Sequence, residues 1–380
     1  MKIPFNKLYN TSRDVELARE CIKKGFMAGN GEYTQKVHEL IESKFSCPKV
    51  FLTTSGTSAL EMAAILLDLA TGDEVIMPSF TFVSTANAMM LRGARPVFAE
   101  IQKDTLNIDP ADIEVRITER TKAIIPVHYA GTACDMERIM EIARKNDLLV
   151  IEDAAQAVNA LYGNRYLGTI GDIGCYSFHA TKNYSCGEGG ALLLNMDDPD
   201  IAEQASIIWE KGTNRSQFLR GEVDKYTWIR TGASYLIADV LAAFLYGQLL
   251  EMDRIKSMRE RVYKNYYDSL WEYQQRGLIR LPVVPAGAEP NYHIFYLLFS
   301  ISEHRDHVMG ELKKRGIEAP FHYIPLHSSP MGKNLGYSEE DFPVTEVISR
   351  TLLLLPIYPH MKSAEQAYVV DNLRDILQGL

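Results

Sequence analysis

Ser177-Phe178-His179-Ala180-Thr181-Lys182-Asn183-Tyr184-Ser185-Cys186-Gly187-Glu188-Gly189-Gly190 sets one lysine between two apolar runs, residues 173–178 and 191–194. Short apolar runs bounded by a glycine-rich turn read as buried strands. Lys182 therefore stands on a short loop between strands, either as a surface amine in a hairpin or as a reactive amine held at a strand end. The stretch alone admits both readings, and its neighbours have to decide.

Upstream, the apolar run 148–151 leads into Glu152-Asp153-Ala154-Ala155-Gln156. An acid placed directly after a buried run is costly unless paired. Asp153 is expected to have a cationic or N–H partner, or else to cap a helix. Further back, residues 50–52 run into Thr53-Thr54-Ser55-Gly56-Thr57-Ser58 and then an Ala- and Leu-rich helical stretch through Leu69. Small hydroxyl residues at a strand-to-helix turn leave backbone N–H groups open at the helix start, where an anion is favoured. The same residues would serve as a plain N-cap.

Between these stretches, strand-like runs (74–77, 96–101, 122–127, 148–152) alternate with helical segments such as 136–146. The pattern predicts an α/β unit with a largely parallel sheet covered by helices on both faces. Ligands of such sheets sit beyond the carboxyl ends of the strands. Pro78-Ser79-Phe80-Thr81-Phe82, His128-Tyr129-Ala130-Gly131 and Asp153 with Gln156 all fall there.

Helical spacing covers residues 13–24 and 34–45, joined by a glycine-rich loop, 25–31, that is either a connector or a flap over a site. Residues 201–210 read as helix, 211–230 as a polar loop carrying Lys211, Arg215, Arg220, Lys225 and Arg230, and 239–273 as one long helix. After Gly277 the pattern becomes strand 293–301, helix 306–315, strand 316–322, a proline-rich loop and closing helices. The expected division is a large domain, 1–250, and a small α+β domain, 251–380.

The chain has 380 residues, 46% hydrophobic and 23% charged, with a formal charge of -9. That length suffices for two cores, and the acidic balance argues against sequence-independent nucleic-acid binding. Cys21, Cys47, Cys134, Cys175 and Cys186 are scattered and odd in number, which suits neither a disulfide framework nor a structural zinc site, so no metal is expected. No apolar run reaches the ~18 residues of a membrane span and the N-terminus lacks a leader pattern, so a cytoplasmic location is expected. The absence of Gly-x-Gly-x-x-Gly speaks against a nicotinamide dehydrogenase.

Taken in order, an anion cup at Thr57 and Ser58, an aromatic at Phe82, an acid and an amide at Asp153 and Gln156, and the amine of Lys182 are the parts that hold pyridoxal phosphate. Such a cofactor brings an electron sink, and the protein brings orientation and electrostatics.

Ser55-Gly56-Thr57-Ser58-Ala59-Leu60, Pro78 to Phe82, Glu152 to Gln156 and Ser177 to Asn183 with Gly187 to Gly190 resemble the motifs of the DegT/DnrJ/EryC1/StrS sugar aminotransferases, almost end to end. The resemblance implies a fold-type I pyridoxal-phosphate aminotransferase acting as a homodimer with a shared site and passing through the pyridoxamine form of the cofactor. It implies that Lys182 bonds covalently to the cofactor and shuttles the proton. Asp153 would pair with the ring nitrogen, Gln156 would contact the ring oxygen, Phe82 would stack on the ring, and Thr57, Ser58 and Ser177 would hold the phosphate. The family commonly lends an asparagine to the phosphate from the neighbouring subunit, and Ser234 stands at that place. Residues 74–87, 127–131 and 211–228 resemble the branch that aminates C4 of dTDP-4-keto-6-deoxy-D-glucose with L-glutamate, forming the galacto product. Arg215, with Arg220 or Lys225, would then meet the sugar nucleotide's pyrophosphate, and His322, Tyr323 and His327 would face the substrate. In the dehydratase branch of this fold a histidine replaces the lysine, so Lys182 speaks for amino transfer. Cys186 stands where family members often have threonine and is expected to be a small packing residue.

Overall fold

The computed structural model describes residues 1–380. The apolar runs form a seven-stranded sheet from β1 (Lys49–Thr53), β2 (Glu74–Pro78), β3 (Arg95–Ala99), β4 (Thr121–Ile124), β5 (Leu149–Asp153), β6 (Ile173–Ser177) and β7 (Gly190–Leu194). Their spatial order is β1-β7-β6-β5-β4-β2-β3. Only β7 runs against its neighbours, pairing antiparallel with both β1 and β6. The other neighbouring pairs are parallel.

Alternate residues along each strand feed two cores, as the pleat requires. Val50, Leu52, Ile76, Ile124, Val150 and Tyr176 pack on one face with helices Glu32–Phe45, Met136–Lys145 and Asp239–Leu250. Phe51, Val75, Met77, Ile151 and Cys175 pack on the other with helices Gly56–Leu66, Val83–Met90 and Pro199–Trp209. Because both faces are covered, the middles of the strands are mostly apolar with no regular polar alternation, and charged residues such as Lys49, Glu74, Arg95 and Asp153 fall at the strand ends.

A third core gathers residues from Val262 to Leu377 and takes in Ile3. Its antiparallel sheet consists of Ile279–Arg280, Phe295–Phe299 and Leu352–Leu355, with Phe295–Phe299 in the middle. The N-terminal segment lies against it through a parallel bridge between Ile3 and Ile317. A fourth cluster, with Phe80 and Tyr129 on one side and Ile294 and Tyr296 on the other, joins this small unit to the main sheet.

Two expectations are corrected. The helix expected over 239–273 is broken at Glu251, which ends Asp239–Leu250 and precedes Met252–Gln275 with φ -105° and ψ 11°. No glycine or proline marks the break. It is held by tertiary contacts: Tyr184 Oη donates to the Met252 carbonyl (3.1 Å), and Asp253 receives Lys44 (2.8 Å) and Asn159 (3.2 Å). The strand expected at 316–322 contributes only the bridge at Ile317, and the third strand of the small sheet is Leu352–Leu355 instead. A run of leucines has no periodicity that separates buried helix from buried strand.

No helix is long and apolar enough to cross a membrane.

Candidate active site

A cavity of about 590 Å³ opens at the carboxyl ends of the main sheet, between the two units. Its floor comes from Asp153 at the end of β5, Ser177 at the end of β6, the helix start at Ser55, Gly56 and Thr57, and Lys182. Phe82, Gln156, His322 and Tyr323 also line it.

The lysine loop is shaped by its own backbone. Phe178 N–H donates to the Gly189 carbonyl and Ala180 N–H to Gly187, each at 2.8 Å, and Lys182 N–H donates to His179 at 2.9 Å. Gly187 turns the chain with φ +88°, a region that favours glycine. Gly190 is required for a different reason: a Cβ there would run into the backbone of Ser55 and Gly56. Its absence lets the helix Gly56–Leu66 seat its first turn directly on the strand ends.

That first turn is the expected anion cup. Ser55 caps the helix by accepting from Ser58 N–H (3.0 Å), while the Gly56 and Thr57 amides lie at the helix start, where no intrahelical acceptor exists. Thr57 Oγ1 reaches Ser84 Oγ at 2.7 Å. Ser58 is not part of the cavity wall: its hydroxyl bonds to Thr54 (2.8 Å) and Ser55 (3.0 Å), so Ser55 takes the wall position that the sequence reading gave to Ser58.

Asp153 has the N–H partner expected of it, Ala155 N–H at 3.2 Å, together with a hydroxyl that was not foreseen. Thr85 Oγ1 donates to its Oδ2 at 2.7 Å, and Thr85 is itself 2.9 Å from Thr81 Oγ1. Lys182 lines the cavity yet is surrounded by dense protein, so desolvation pushes its amine down from 10.5 to about 8, against the pull of Asp153. Gln156 is oriented at both ends: Oε1 accepts from Ala130 N–H and Nε2 donates to Tyr323 Oη, each at 2.8 Å.

Behind this floor lies a polar support that the sequence reading missed. Glu152 is fully buried and accepts from His128 Nε2 (2.8 Å) and from the amides of Gly168 (2.8 Å), Ile170 (2.6 Å) and Gly171 (2.6 Å). Burial alone would raise its carboxyl, but His128 and these amides outweigh burial and hold it below the usual range. The residue preceding Asp153 is thereby locked. An acidic pair after an apolar run was the only sequence signal.

His322 stacks on Tyr323, with ring centroids 4.3 Å apart. Burial and the nearby Lys182 push His322 down to about 4, and its Nδ1 is buried without a partner. His327 is corrected: it is fully buried away from the cavity, with Nδ1 2.8 Å from Ser79 Oγ, Nε2 3.2 Å from Glu346, and its ring against Phe342. Its place in a substrate turn gave no clue that the side chain points inward.

Arg215 and Ser234 do not line this cavity. Arg215 Nη1 lies 3.1 Å from the buried Glu210 carboxylate, in a short helix, Arg215–Leu219, and Ser234 is exposed. The 25–31 loop lines no part of this chain's cavity either, and Asp239 N–H donates to its Met27 carbonyl at 2.9 Å, tying it to the start of helix Asp239–Leu250. Cys186 is buried, its Sγ 3.3 Å from the Glu188 carbonyl and its thiol pushed up to about 12 by burial.

The donor set fits pyridoxal phosphate. Hydroxyls of Ser55, Thr57 and Ser177 and two open amides face one end, a carboxylate and an amine stand further in, and the Phe82 ring is left 58% exposed beside them. No group of three or more His, Cys, Asp or Glu side chains is arranged to hold a metal.

The DegT/DnrJ/EryC1/StrS aminotransferase family model matches residues 9–374. Uncharacterized protein MJ1066 of Methanocaldococcus jannaschii is 37% identical over 91% of this chain and 90% of its own length. Spore coat polysaccharide biosynthesis protein SpsC of Bacillus subtilis is 32% identical over 99% and 97%. Among solved structures, NtdA from Bacillus subtilis with bound cofactor PMP superposes with a TM-score of 0.87 at 28% identity, covering 99% of this chain and 85% of that one. A match over nearly the whole chain, on a sheet and cavity of this form, makes the protein a member of the DegT/DnrJ/EryC1/StrS aminotransferase family.

Proposed function

We propose that the protein transfers the amino group of L-glutamate to C4 of dTDP-4-keto-6-deoxy-D-glucose, giving dTDP-4-amino-4,6-dideoxy-D-galactose and 2-oxoglutarate. The observation that carries amino transfer is one cavity in which a lysine amine pushed down to about 8 faces a hydrogen-bonded carboxylate beside an open helix start. The sugar and its nucleotide rest on the sequence resemblance of residues 74–87, 127–131 and 211–228.

Pyridoxal phosphate is the cofactor, and when bound it supplies the electron sink for charge developing at the amino donor's α-carbon. Ser177, Thr57 and the open amides at Gly56 and Thr57 hold its phosphate, with Ser55 in the place first given to Ser58. Phe82 presents a flat apolar face to its ring. The Asp153 carboxylate, kept in position by Thr85 and Ala155, favours a protonated ring nitrogen. Gln156 keeps one amide N–H for the ring oxygen after bonding Tyr323. Lys182 Nζ has an affinity for protons close to working pH, which suits it to take a proton from one carbon and return it to another. His322 and Tyr323 form the wall that faces the substrate.

Arg215 and Ser234 lie outside this chain's cavity, and Phe218, Leu219, Tyr226 and Trp228 are exposed beside them, Trp228 by 78%. Apolar exposure on that scale favours an interface. In a homodimer with a shared site, the 211–230 segment brings Arg215 to the pyrophosphate, and Ser234 reaches the phosphate of the partner's cofactor.

The test is incubation of the cofactor-loaded protein with dTDP-4-keto-6-deoxy-D-glucose and L-glutamate, with NMR of the product. An axial 4-amine is expected. An equatorial amine would reassign the product to the gluco series, and no amination of this sugar would refute the substrate.

A further inference from the structure

The loop that carries Lys182 also lines the cavity with His179 and Glu188. Phe178 N–H donates to the Gly189 carbonyl and Ala180 N–H to that of Gly187, so His179 and Glu188, which lie between them, stand directly across from one another. Their side chains are 45% and 67% exposed, and His179 Nε2 lies 3.5 Å from Glu188 Oε1. An ion pair so long and so exposed contributes little to folding. Nor does it help an anion to enter: the cavity offers hydroxyls and open amides to a phosphate, and a carboxylate at its edge repels that charge.

The polar atoms of the pair have fixed roles. Thr181 N–H donates to His179 Nδ1 at 3.2 Å, and Thr181 Oγ1 lies 2.9 Å from the same nitrogen. A ring nitrogen that accepts carries no proton, so the ring N–H stands at Nε2. At 3.5 Å this N–H is too far from Glu188 for a good hydrogen bond. A donor and an acceptor therefore lie side by side on one hairpin, neither satisfied by the other.

We propose that His179 and Glu188 together bind the C3 hydroxyl of the sugar, beside the carbonyl carbon that receives the amine. Nε2–H donates to the hydroxyl oxygen, and the hydroxyl donates to the Glu188 carboxylate. This rests on the sugar reading given above. Lys182 N–H donates to the His179 carbonyl at 2.9 Å, which ties the pair to the lysine and so to the reacting carbon. Of the two carbons flanking C4 in a 4-keto-6-deoxyhexose, C3 carries a hydroxyl, whereas C5 carries the methyl group. The ammonium of the amino donor is the competing occupant. It only donates, so it would satisfy Glu188 but turn N–H groups toward the Nε2–H of His179.

The test compares cofactor-loaded wild type with His179→Phe, His179→Gln and Glu188→Ala. Each is titrated calorimetrically with dTDP-6-deoxy-D-glucose and its 3-deoxy analogue, neither of which has a carbonyl to aminate. Each is then assayed for amination of dTDP-4-keto-6-deoxy-D-glucose and of its 3-deoxy counterpart. The response of the cofactor's visible band to L-glutamate alone is followed in parallel. Wild type should favour the 3-hydroxy sugar roughly 10- to 100-fold in affinity and in kcat/KM, the worth of a hydrogen bond to a charged group. H179F and E188A should lose that preference and respond to glutamate as wild type does. On the 3-deoxy sugar they should stay within about twofold of wild type, since the exposed pair itself contributes little. H179Q keeps an N–H donor and should recover part of the preference. Equal losses on both sugars would mark the pair as a brace of the lysine loop and overturn the proposal. So would a slowed response to glutamate, or a wild type that aminates both sugars equally well. If the variants lose a binding preference that wild type shows while wild type aminates neither sugar, the proposed amination fails and the hydroxyl site stands. If wild type binds neither nucleotide sugar, both fail.

Discussion

Replacing Lys182 with methionine should make the cofactor-free protein more stable and, on the proposed function, should abolish activity. The lysine amine falls from 10.5 to about 8 because folding strips it of water. At ~1.4 kcal/mol for each pH unit, carrying the ammonium in the folded state costs about 3 kcal/mol at pH 7. That figure is an upper bound, since the cavity solvates part of the charge. Methionine has similar reach and no charge, so Lys182→Met should recover most of it. The sign follows from a base whose folded pKa is depressed. Below about pH 8 both folded and unfolded chains carry the proton and the full penalty applies. Between about 8 and 10.5 the folded chain is already neutral and the penalty shrinks, and above 10.5 it disappears. Thermal unfolding of cofactor-free wild type and variant at pH 7, 9 and 10.5 reads this directly. A variant less stable than wild type at pH 7, or a gain that does not shrink with pH, would refute desolvation as the cause.

Other consequences follow from particular contacts. Thr85→Val removes the hydroxyl bonded to Asp153, so kcat/KM should drop roughly 10- to 100-fold while cofactor loading, read from its absorbance, stays near normal. Gly190→Ala places a Cβ against Ser55 and Gly56, and equilibrium titration should show weaker binding of cofactor together with a lowered unfolding temperature. Glu152→Gln leaves backbone donors facing an amide N–H₂ and should destabilise the protein by about 3 kcal/mol or more at pH 7. Because the Glu152 carboxyl is depressed in the folded state, its contribution is present above its ordinary value of 4.5 and is lost as pH falls below it, so the gap between wild type and variant should narrow in acid unfolding. Cys186, with its thiol pushed up to about 12, should resist iodoacetamide at pH 8 in the native protein and react once it is unfolded.

Much of the site was legible because its parts sit at strand ends, and strand ends can be read from short apolar runs. Asp153, Ser177, Thr57, Phe82, Gln156 and Lys182 converge on one cavity for that reason alone. Ser58 and His327 read as site residues from their neighbours in sequence, but the hydroxyl of one turns to Thr54 and Ser55 and the ring of the other to Ser79 and Glu346. Local sequence carries no information on where a side chain points when several directions offer a partner. The break at Glu251 was invisible because nothing in the local backbone chemistry requires it, and the strand Leu352–Leu355 was invisible because four leucines suit either element.

The sequence by itself determined the alternating α/β order, the strand-end placement of the lysine loop and the chemical types available to a cofactor. These depend on periodicity and residue type along neighbouring positions. Only the tertiary structure decided that Thr85 steadies Asp153 and that Glu152 and His128 brace the floor. Each of those facts joins residues far apart in the chain, and burial, which gives them their energetic weight, exists only once the chain has folded.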